Sequence, residues 1–294
     1  MSASETPRIS VIVPHYNDED RLQKCLEALH AQSGLDGPIE IVVGDNDSAV
    51  GFAEMQRRFG EMARIVHVPE RGAGPARNAA VAASRGDILA FIDSDCLPSK
   101  DWIAQGVRAL ATSDIVGGRV DVSIEHDDAL SGAEAFEKIF AFDNRSYILR
   151  KGFSGSGNLF CRRTVFEHVG GFQGEVSEDR DWCNRAVRAG YSLAYAHDAA
   201  IEHPARPDWA TLQKKWRRLN SEAYALAKQE GWSNWKWLGY AWLMPASIVP
   251  HLVKCAGSGK VRGFRDRTKA AATLVRLRLW RLWDYHRIVL RAGD

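Results

Sequence analysis

Asp87-Ile88-Leu89-Ala90-Phe91-Ile92-Asp93-Ser94-Asp95 is the stretch from which the rest of the chain can be read. Five apolar residues in succession run straight into two carboxylates. A strand covered on both faces is apolar at every position, as strands of parallel sheets are when helices lie above and below them. Upstream, Ile9-Ser10-Val11-Ile12-Val13-Pro14 has the same character and stops at a proline. Leu22, Cys25, Leu26 and Leu29 then recur at i, i+3, i+4 and i+7, one face of a helix. Ile39 to Gly44 predicts a second strand, residues 52–60 a helix, and Ile65 to Val68 a third strand. Gly72-Ala73-Gly74-Pro75 reads as a tight turn opening a small-residue helix over Ala76 to Ser84, with proline suited to a first helical position.

Strands alternating with helices predict an α/β fold: a Rossmann-like, mostly parallel sheet with helices on both faces and ligands beyond the carboxyl ends of the strands. Asp45, Arg77 and the Asp93/Asp95 pair all fall at that edge. No Gly-x-Gly-x-x-Gly follows the first strand, which argues against a dinucleotide cofactor. Further on, Gly118 to Ile124 predicts a strand, Leu130 to Phe142 a helix, and Phe153 to Phe160 a glycine-rich loop running into a strand. Val176 to Ala189 begins acidic and continues as a helical face, and the pattern from residue 209 onward is helical.

The 294 residues are enough for one large domain with an appendage. Met1 to Arg8 is polar and lacks the apolar centre of a secretory signal, so the expected location is cytoplasmic. Cys25, Cys96, Cys161, Cys183 and Cys255 are scattered without a Cys-x-x-Cys spacing, which predicts free thiols rather than disulfides or a zinc cluster. The net charge of +2 conceals an asymmetry: residues 254–294 hold eleven Lys/Arg against three Asp, a local +8.

Two carboxylates one residue apart at a strand end can share a divalent cation and a sugar or ribose hydroxyl between them. Hard oxygen ligands suit Mg²⁺ or Mn²⁺. Glu178 and Asp179 supply a second acidic pair, in a segment that also reads as the acidic start of a helix. Asp181 and Arg185, one helical turn apart, read as a structural pair.

Several segments stand in order: Ser10 to Asn17, Gly44 to Ser48, Gly72 to Ala80, Asp87 to Asp95, Gly155-Ser156-Gly157-Asn158 and Ser177 to Trp182. Together they resemble the inverting family 2 glycosyltransferases of GT-A fold, over about residues 8–205. The resemblance implies a nucleotide-sugar donor, UDP-linked by preference, and assigns roles. Pro14, Tyr16 and Asp45 would hold the base, with Arg77 near the ribose-diphosphate. Asp93 and Ser94 would touch ribose or sugar, Asp95 would be the direct metal ligand, and His203 would complete the metal site. Gly155 and Asn158 would line the acceptor cleft, and Asp179 would be the general base that takes the acceptor's proton from the face opposite the leaving group, with Glu178 orienting Asp179 or the acceptor. Processive members carry Gln-x-x-Arg-Trp after the base, whereas this chain has Gln213-Lys214-Lys215-Trp216-Arg217, so transfer of a single sugar is expected.

A catalytic domain over residues 1–205 and a basic, Trp-rich helical extension over 206–294 follow. Trp237 to Val253 contains 17 residues without Lys, Arg, Asp or Glu, interrupted by Pro245 and Pro250. With Trp232, Trp235, Trp237, Tyr240 and Trp242 as headgroup-level aromatics and Lys254 to Arg291 as positive charge, it predicts peripheral contact with an anionic membrane. The acceptor would then be a saccharide or lipid-linked saccharide of surface polysaccharide or glycolipid assembly, met at the inner face of the cytoplasmic membrane. A nucleotidyltransferase would want a glycine-rich basic loop after the first strand, where Pro14-His15-Tyr16-Asn17 stands. A non-catalytic membrane-surface binder would leave the carboxylates without purpose, and no nucleic-acid signature is present.

Overall fold

The computed structural model describes residues 9–126, 128–173 and 177–291. Met1 to Arg8, on which the leader reading rests, and Val176 lie outside them. The elements run β1 (Ile9–His15), α1 (Glu19–His30), β2 (Ile39–Asp45), α2 (Phe52–Phe59), β3 (Arg64–His67), α3 (Ala73–Ala83), β4 (Ile88–Ile92), β5 (Leu97–Pro98), α4 (Trp102–Ala109) and β6 (Ile115–Ser123). They continue with α5 (Gly132–Phe140), α6 (Asn144–Lys151), β7 (Asn158–Arg162), α7 (Arg163–Val169), α8 (Glu178–Arg188), β8 (Leu193–Pro204), α9 (Trp209–Gln229), α10 (Asn234–Ala241), α11 (Leu243–Ala246), α12 (Ile248–Gly257) and α13 (Gly263–Arg291).

The chain divides into two compact units: residues up to Asp121 with Asp143–His203, and Val122–Phe142 with Pro204 onward. Helix α5 therefore groups with the C-terminal helices, although it precedes residue 205.

The sheet has the order β3-β2-β1-β4-β7-β6-β8-β5. Pairing is parallel from β3 through β2 and β1 to β4, as the alternation of strands and helices predicts. Beyond β4 it turns antiparallel, at β4–β7, β6–β7 and β5–β8, so the sheet is mixed. In the first unit the unbroken apolar strands serve two cores at once. Val11, Val13, Ile41, Val43, Ile88, Ala90 and Ile92 face one side, with Leu22 and Leu26 of α1 and Trp102 of α4. Ile12, Val42, Leu89 and Phe91 face the other, with Ala80 of α3, Phe166 of α7 and Trp182 of α8. Alternate residues pointing to opposite faces make each strand a partition between two layers of helices. Gly44 lets α3 approach β2: a Cβ there would stand 2.2 Å from the carbonyl oxygen of Ala76.

The second unit is helical among its described residues beyond Pro204. Ala135, Phe136 and Ile139 of α5 pack with Leu212 of α9 and with Ala270, Leu274 and Leu277 of α13. A capping box between Ser131 and Glu134 starts α5. Buried Glu137 is paired with the Lys215 ammonium at 2.7 Å. Asn220 of α9 donates to Asp284 (2.9 Å) and accepts from Arg281 (2.9 Å), tying α9 to α13 through buried polar groups. Trp237 does not sit with exposed aromatics as expected. It is buried and stacked on Tyr285 at 4.3 Å, because its side of α10 faces α13. Among the described residues no helix is long and apolar enough to cross a membrane.

Candidate active site

Strand order reverses at β1, with β2 on one side and β4 on the other. In an open α/β sheet the crevice at such a switch point, beyond the carboxyl ends of the strands, is where ligands bind. The ends of β1, β2 and β4 bring there Pro14 to Asn17, Asp45 to Ser48 and Asp93 to Asp95. A groove on the flank of α3, lined by Val81, Arg85, Arg163 and Phe166 among others, shares no residue with this edge.

Asp93 directly follows β4, and its Oδ1 accepts from Nη2 of Arg77 at 2.6 Å. Nη1 of the same guanidinium donates to Glu178 Oε1 at 3.1 Å, on the first turn of α8. Arg77 is buried, with its guanidinium 5.7 Å from the Phe172 ring centroid. The register of β4 with β7 sets Ile92 opposite Asn158, so the next step places Gly157 beside Asp93. A Cβ at Gly157 would stand 2.5 Å from Asp93 Oδ2, so any side chain there would push the Asp93 carboxylate out of place.

Asp179 follows Glu178 on α8. Gly155 lies beside it: an added Cβ would stand 3.9 Å from Asp179 Oδ2, an ordinary contact distance. Burial, and then the neighbouring negative charge of Glu178, raise the Asp179 pKa to about 6. The backbone N–H of Arg180 and the Arg77 cation oppose the rise without cancelling it. A carboxylate so placed is ionised at neutral pH and basic enough to accept a proton. Asp181 and Arg185 form the expected pair at 2.8 Å, within the helix.

Asp95 Oδ2 meets His203 Nε2 at 3.3 Å. The reason is again register: β5 pairs Leu97 with Glu202, and one step back sets Cys96 opposite His203. Donor atoms of Asp95, Cys96 and His203 all lie within 4.8 Å of one another. Burial, together with Asp95 and Asp93, pushes the Cys96 thiol above its ordinary pKa. The carboxylate oxygen and imidazole nitrogen of Asp95 and His203 are a pair that suits Mn²⁺ or Mg²⁺. Ser94 lies in the turn between the two aspartates, closed by the Cys96 N–H donating to the Asp93 carbonyl at 3.0 Å.

Two residues have tasks that differ from the expected ones. The Asp45 carboxylate is completely covered. Its Oδ1 accepts from His15 Nδ1 (2.9 Å) and Ser48 Oγ (2.6 Å), and its Oδ2 from the Ser48 N–H (3.3 Å). The Asp18 N–H points at His15 Nε2 (3.2 Å), which leaves the ring proton on Nδ1, donating to Asp45. Burial alone would raise the Asp45 pKa, but the bonds from His15 and Ser48 outweigh it and hold the group below its usual value. Asp45 therefore braces the β1 and β2 loops. Beside it Pro14 is buried and the Tyr16 ring is exposed.

Asn158 is likewise spent inside the protein. Its amide donates to the carbonyls of Arg119 (2.8 Å) and Ala199 (3.0 Å) and accepts from the Trp102 indole (2.9 Å). It holds β6, β8 and α4 together beneath the site instead of presenting its amide to an acceptor. Of the other predicted residues, Arg77 joins Asp93 and Glu178, Asp179 and Gly155 stand beside them, and Asp95 with His203 forms a pair two residues further on. His15, Ser48 and Gly157 carry positioning roles that sequence reasoning did not assign. Strand register is the signal that would have found His15 and Gly157.

The family model described as Glycosyl transferase family 2 matches residues 10–170. Glycosyltransferase AglE of Haloferax volcanii is 35% identical over 222 residues, which are 73% of this chain and 72% of that protein. Two Bacillus subtilis relatives are matched over only 30% and 26% of their own length. Among solved structures, the mannosyltransferase PcManGT of Pyrobaculum calidifontis, in complex with GDP-Man and Mn²⁺, aligns with a TM-score of 0.54 at 20% identity. That alignment covers 99% of this chain and 76% of that one. S. aureus TarS 1-349, in complex with UDP, gives 0.51 at 16% identity over 98% of this chain and 92% of that one. The shared feature at these identities is the fold, the GT-A arrangement.

Proposed function

The chain belongs to the family 2 glycosyltransferases, and from that premise we propose that it moves one sugar, with inversion, from a nucleotide-sugar to an acceptor hydroxyl. The observation that carries this reading is the Arg77 clamp on Asp93 and Glu178, with Asp179, its pKa raised to about 6, next to Glu178 and beside Gly155. UDP is the preferred nucleotide. Catalysis resides in residues 1–205, and 206–294 is an extension.

The work divides among named residues. Pro14 and the exposed Tyr16 ring receive the base, on loops braced by Asp45, His15 and Ser48. Asp93, oriented by Arg77, meets the ribose or sugar together with Ser94. Asp179 takes the proton of the acceptor hydroxyl as its oxygen bonds to the anomeric carbon and the bond to the diphosphate breaks. Glu178, held by Arg77, keeps Asp179 basic. Asp95 and His203 would hold Mn²⁺ or Mg²⁺, which when bound neutralises charge on the leaving diphosphate. A complex with GDP-Man and Mn²⁺ and a complex with UDP, in proteins of the same fold, support this reading of the edge.

The acceptor is a saccharide, lipid-linked in surface polysaccharide or glycolipid assembly, reached by peripheral contact at the inner face of the cytoplasmic membrane. The local +8 of residues 254–294 supports an anionic surface as partner. The first experiment is a nucleotide-sugar panel with Mn²⁺ or Mg²⁺, following release of nucleoside diphosphate. One donor should be turned over and chelator should abolish the release. Absence of turnover for every donor with either metal contradicts the proposal.

A further inference from the structure

Helices α10, α11 and α12 are separated by single residues, Trp242 and Ser247, and both keep right-handed helical backbone (φ −70°, ψ −12° and φ −72°, ψ −8°). Helical phase therefore carries through all three. Trp237, Ala241, Met244 and Cys255 point inward and are buried. The opposite side exposes Trp235, Gly239, Trp242, Leu243, Ala246, Val249, Pro250 and Val253, at offsets from Trp235 of 4, 7, 8, 11, 14, 15 and 18. That is one continuous stripe with helical period. The side chains are not merely grazed by solvent: Trp235 is 83% exposed, Trp242 63%, and Val249 and Val253 70% each. A helix face made for water carries polar residues outward, whereas here both faces are apolar, so the outward one is made for another medium.

Resting on the peripheral-membrane reading above, we infer that this stripe is the membrane-inserting face. The Trp235, Trp242, Leu243, Val249 and Val253 side chains would seat at the headgroup–acyl boundary of an anionic phospholipid surface. Charge selects the occupant. Residues 231–265 carry Lys236, Lys254, Lys260, Arg262 and Arg265 and no Asp or Glu. Two copies of this chain meeting through the stripe would bring like charges together, while an anionic bilayer attracts them. Indole rings suit the boundary because one edge is apolar and the N–H stays wet. With no helix among the described residues able to cross, the segment lies on the bilayer rather than through it.

The test uses the full chain with phosphatidylcholine vesicles, with and without phosphatidylglycerol. Wild type should co-sediment with the phosphatidylglycerol vesicles and be only partly released by high salt. A variant combining Trp242→Ser, Leu243→Ser, Val249→Ser and Val253→Ser should bind at least about tenfold more weakly and lose the salt-resistant part, since each exposed apolar side chain adds to insertion. Its nucleotide affinity, measured without vesicles, should match wild type. A gentler pair, Trp235→Phe with Trp242→Phe, keeps the face apolar. It should still sediment but lose most of the fluorescence quenching that brominated acyl chains impose on wild type. If wild type binds and the serine variant binds equally, this face is the wrong one while the membrane reading stands. If wild type binds no vesicle, both fall. If wild type instead self-associates and the serine variant does not, the stripe is a contact between copies and the inference is overturned.

Discussion

Arg77 and Asp93 are joined by a 2.6 Å hydrogen bond between a buried guanidinium on α3 and the carboxylate that follows β4. The second arm of the same guanidinium holds Glu178 on α8, so one side chain sets the spacing of two acidic groups from distant parts of the sequence. Planar, two-armed donation is what arginine offers and lysine does not.

Arg77→Ala would leave both carboxylates facing each other without the cation. Breaking a fully buried pair costs roughly 3–5 kcal/mol, and because Asp93 and Glu178 keep access to water about 2–3 kcal/mol is expected here. Urea unfolding should show that loss, with Arg77→Lys recovering part of it. A change below about 0.5 kcal/mol, the range of ordinary surface substitutions, would remove the clamp role.

Asp95→Ala and His203→Ala should each weaken metal-dependent nucleotide binding at least about tenfold and leave metal-free binding unchanged, as expected when a cation loses one of its protein ligands. Calorimetry with and without Mn²⁺ measures it. Equal metal dependence in variants and wild type would contradict the assignment of these two residues.

The elevated pKa of Asp179 makes a signed prediction. A carboxylate acts as base only when ionised, so kcat/KM is retained above about 6 and lost as pH falls through it. The slope should be about tenfold per pH unit. Glu178→Gln removes the neighbouring charge that follows burial among the causes of the rise, so the acidic limb should move to lower pH. A profile flat across that region, or a limb moving upward, would contradict the pairing of these acids.

The first half of the fold was legible because its strands are apolar throughout and its helices carry one clear face, so both periods survive in the sequence. The antiparallel strands were harder. β7 begins inside a glycine-rich loop, and β8 runs from half-exposed and exposed residues to mostly buried ones without alternating. The residue types of the site were legible, but their partners were not. The resemblance gives Asp45 to the base and Arg77 to the ribose-diphosphate but not their protein partners: parallel register sets His15 opposite Asp45, and Arg77 reaches Asp93 and Glu178. Register also hid the positioning role of Gly157. Asn158 looked like a ligand residue because nothing in its neighbourhood announces that two carbonyls and an indole from three other elements converge on it.

Asp179→Asn preserves the shape of the side chain and removes the oxygen that accepts a proton. Transfer to acceptor by this variant, with nucleotide and Mn²⁺ affinity measured alongside, addresses the chemistry most directly. General-base contributions run from about a hundred- to ten-thousand-fold, so transfer should fall at least about a hundredfold while donor and metal affinities stay within about twofold. A variant that transfers sugar within about threefold of wild type would show that Asp179 is not the base.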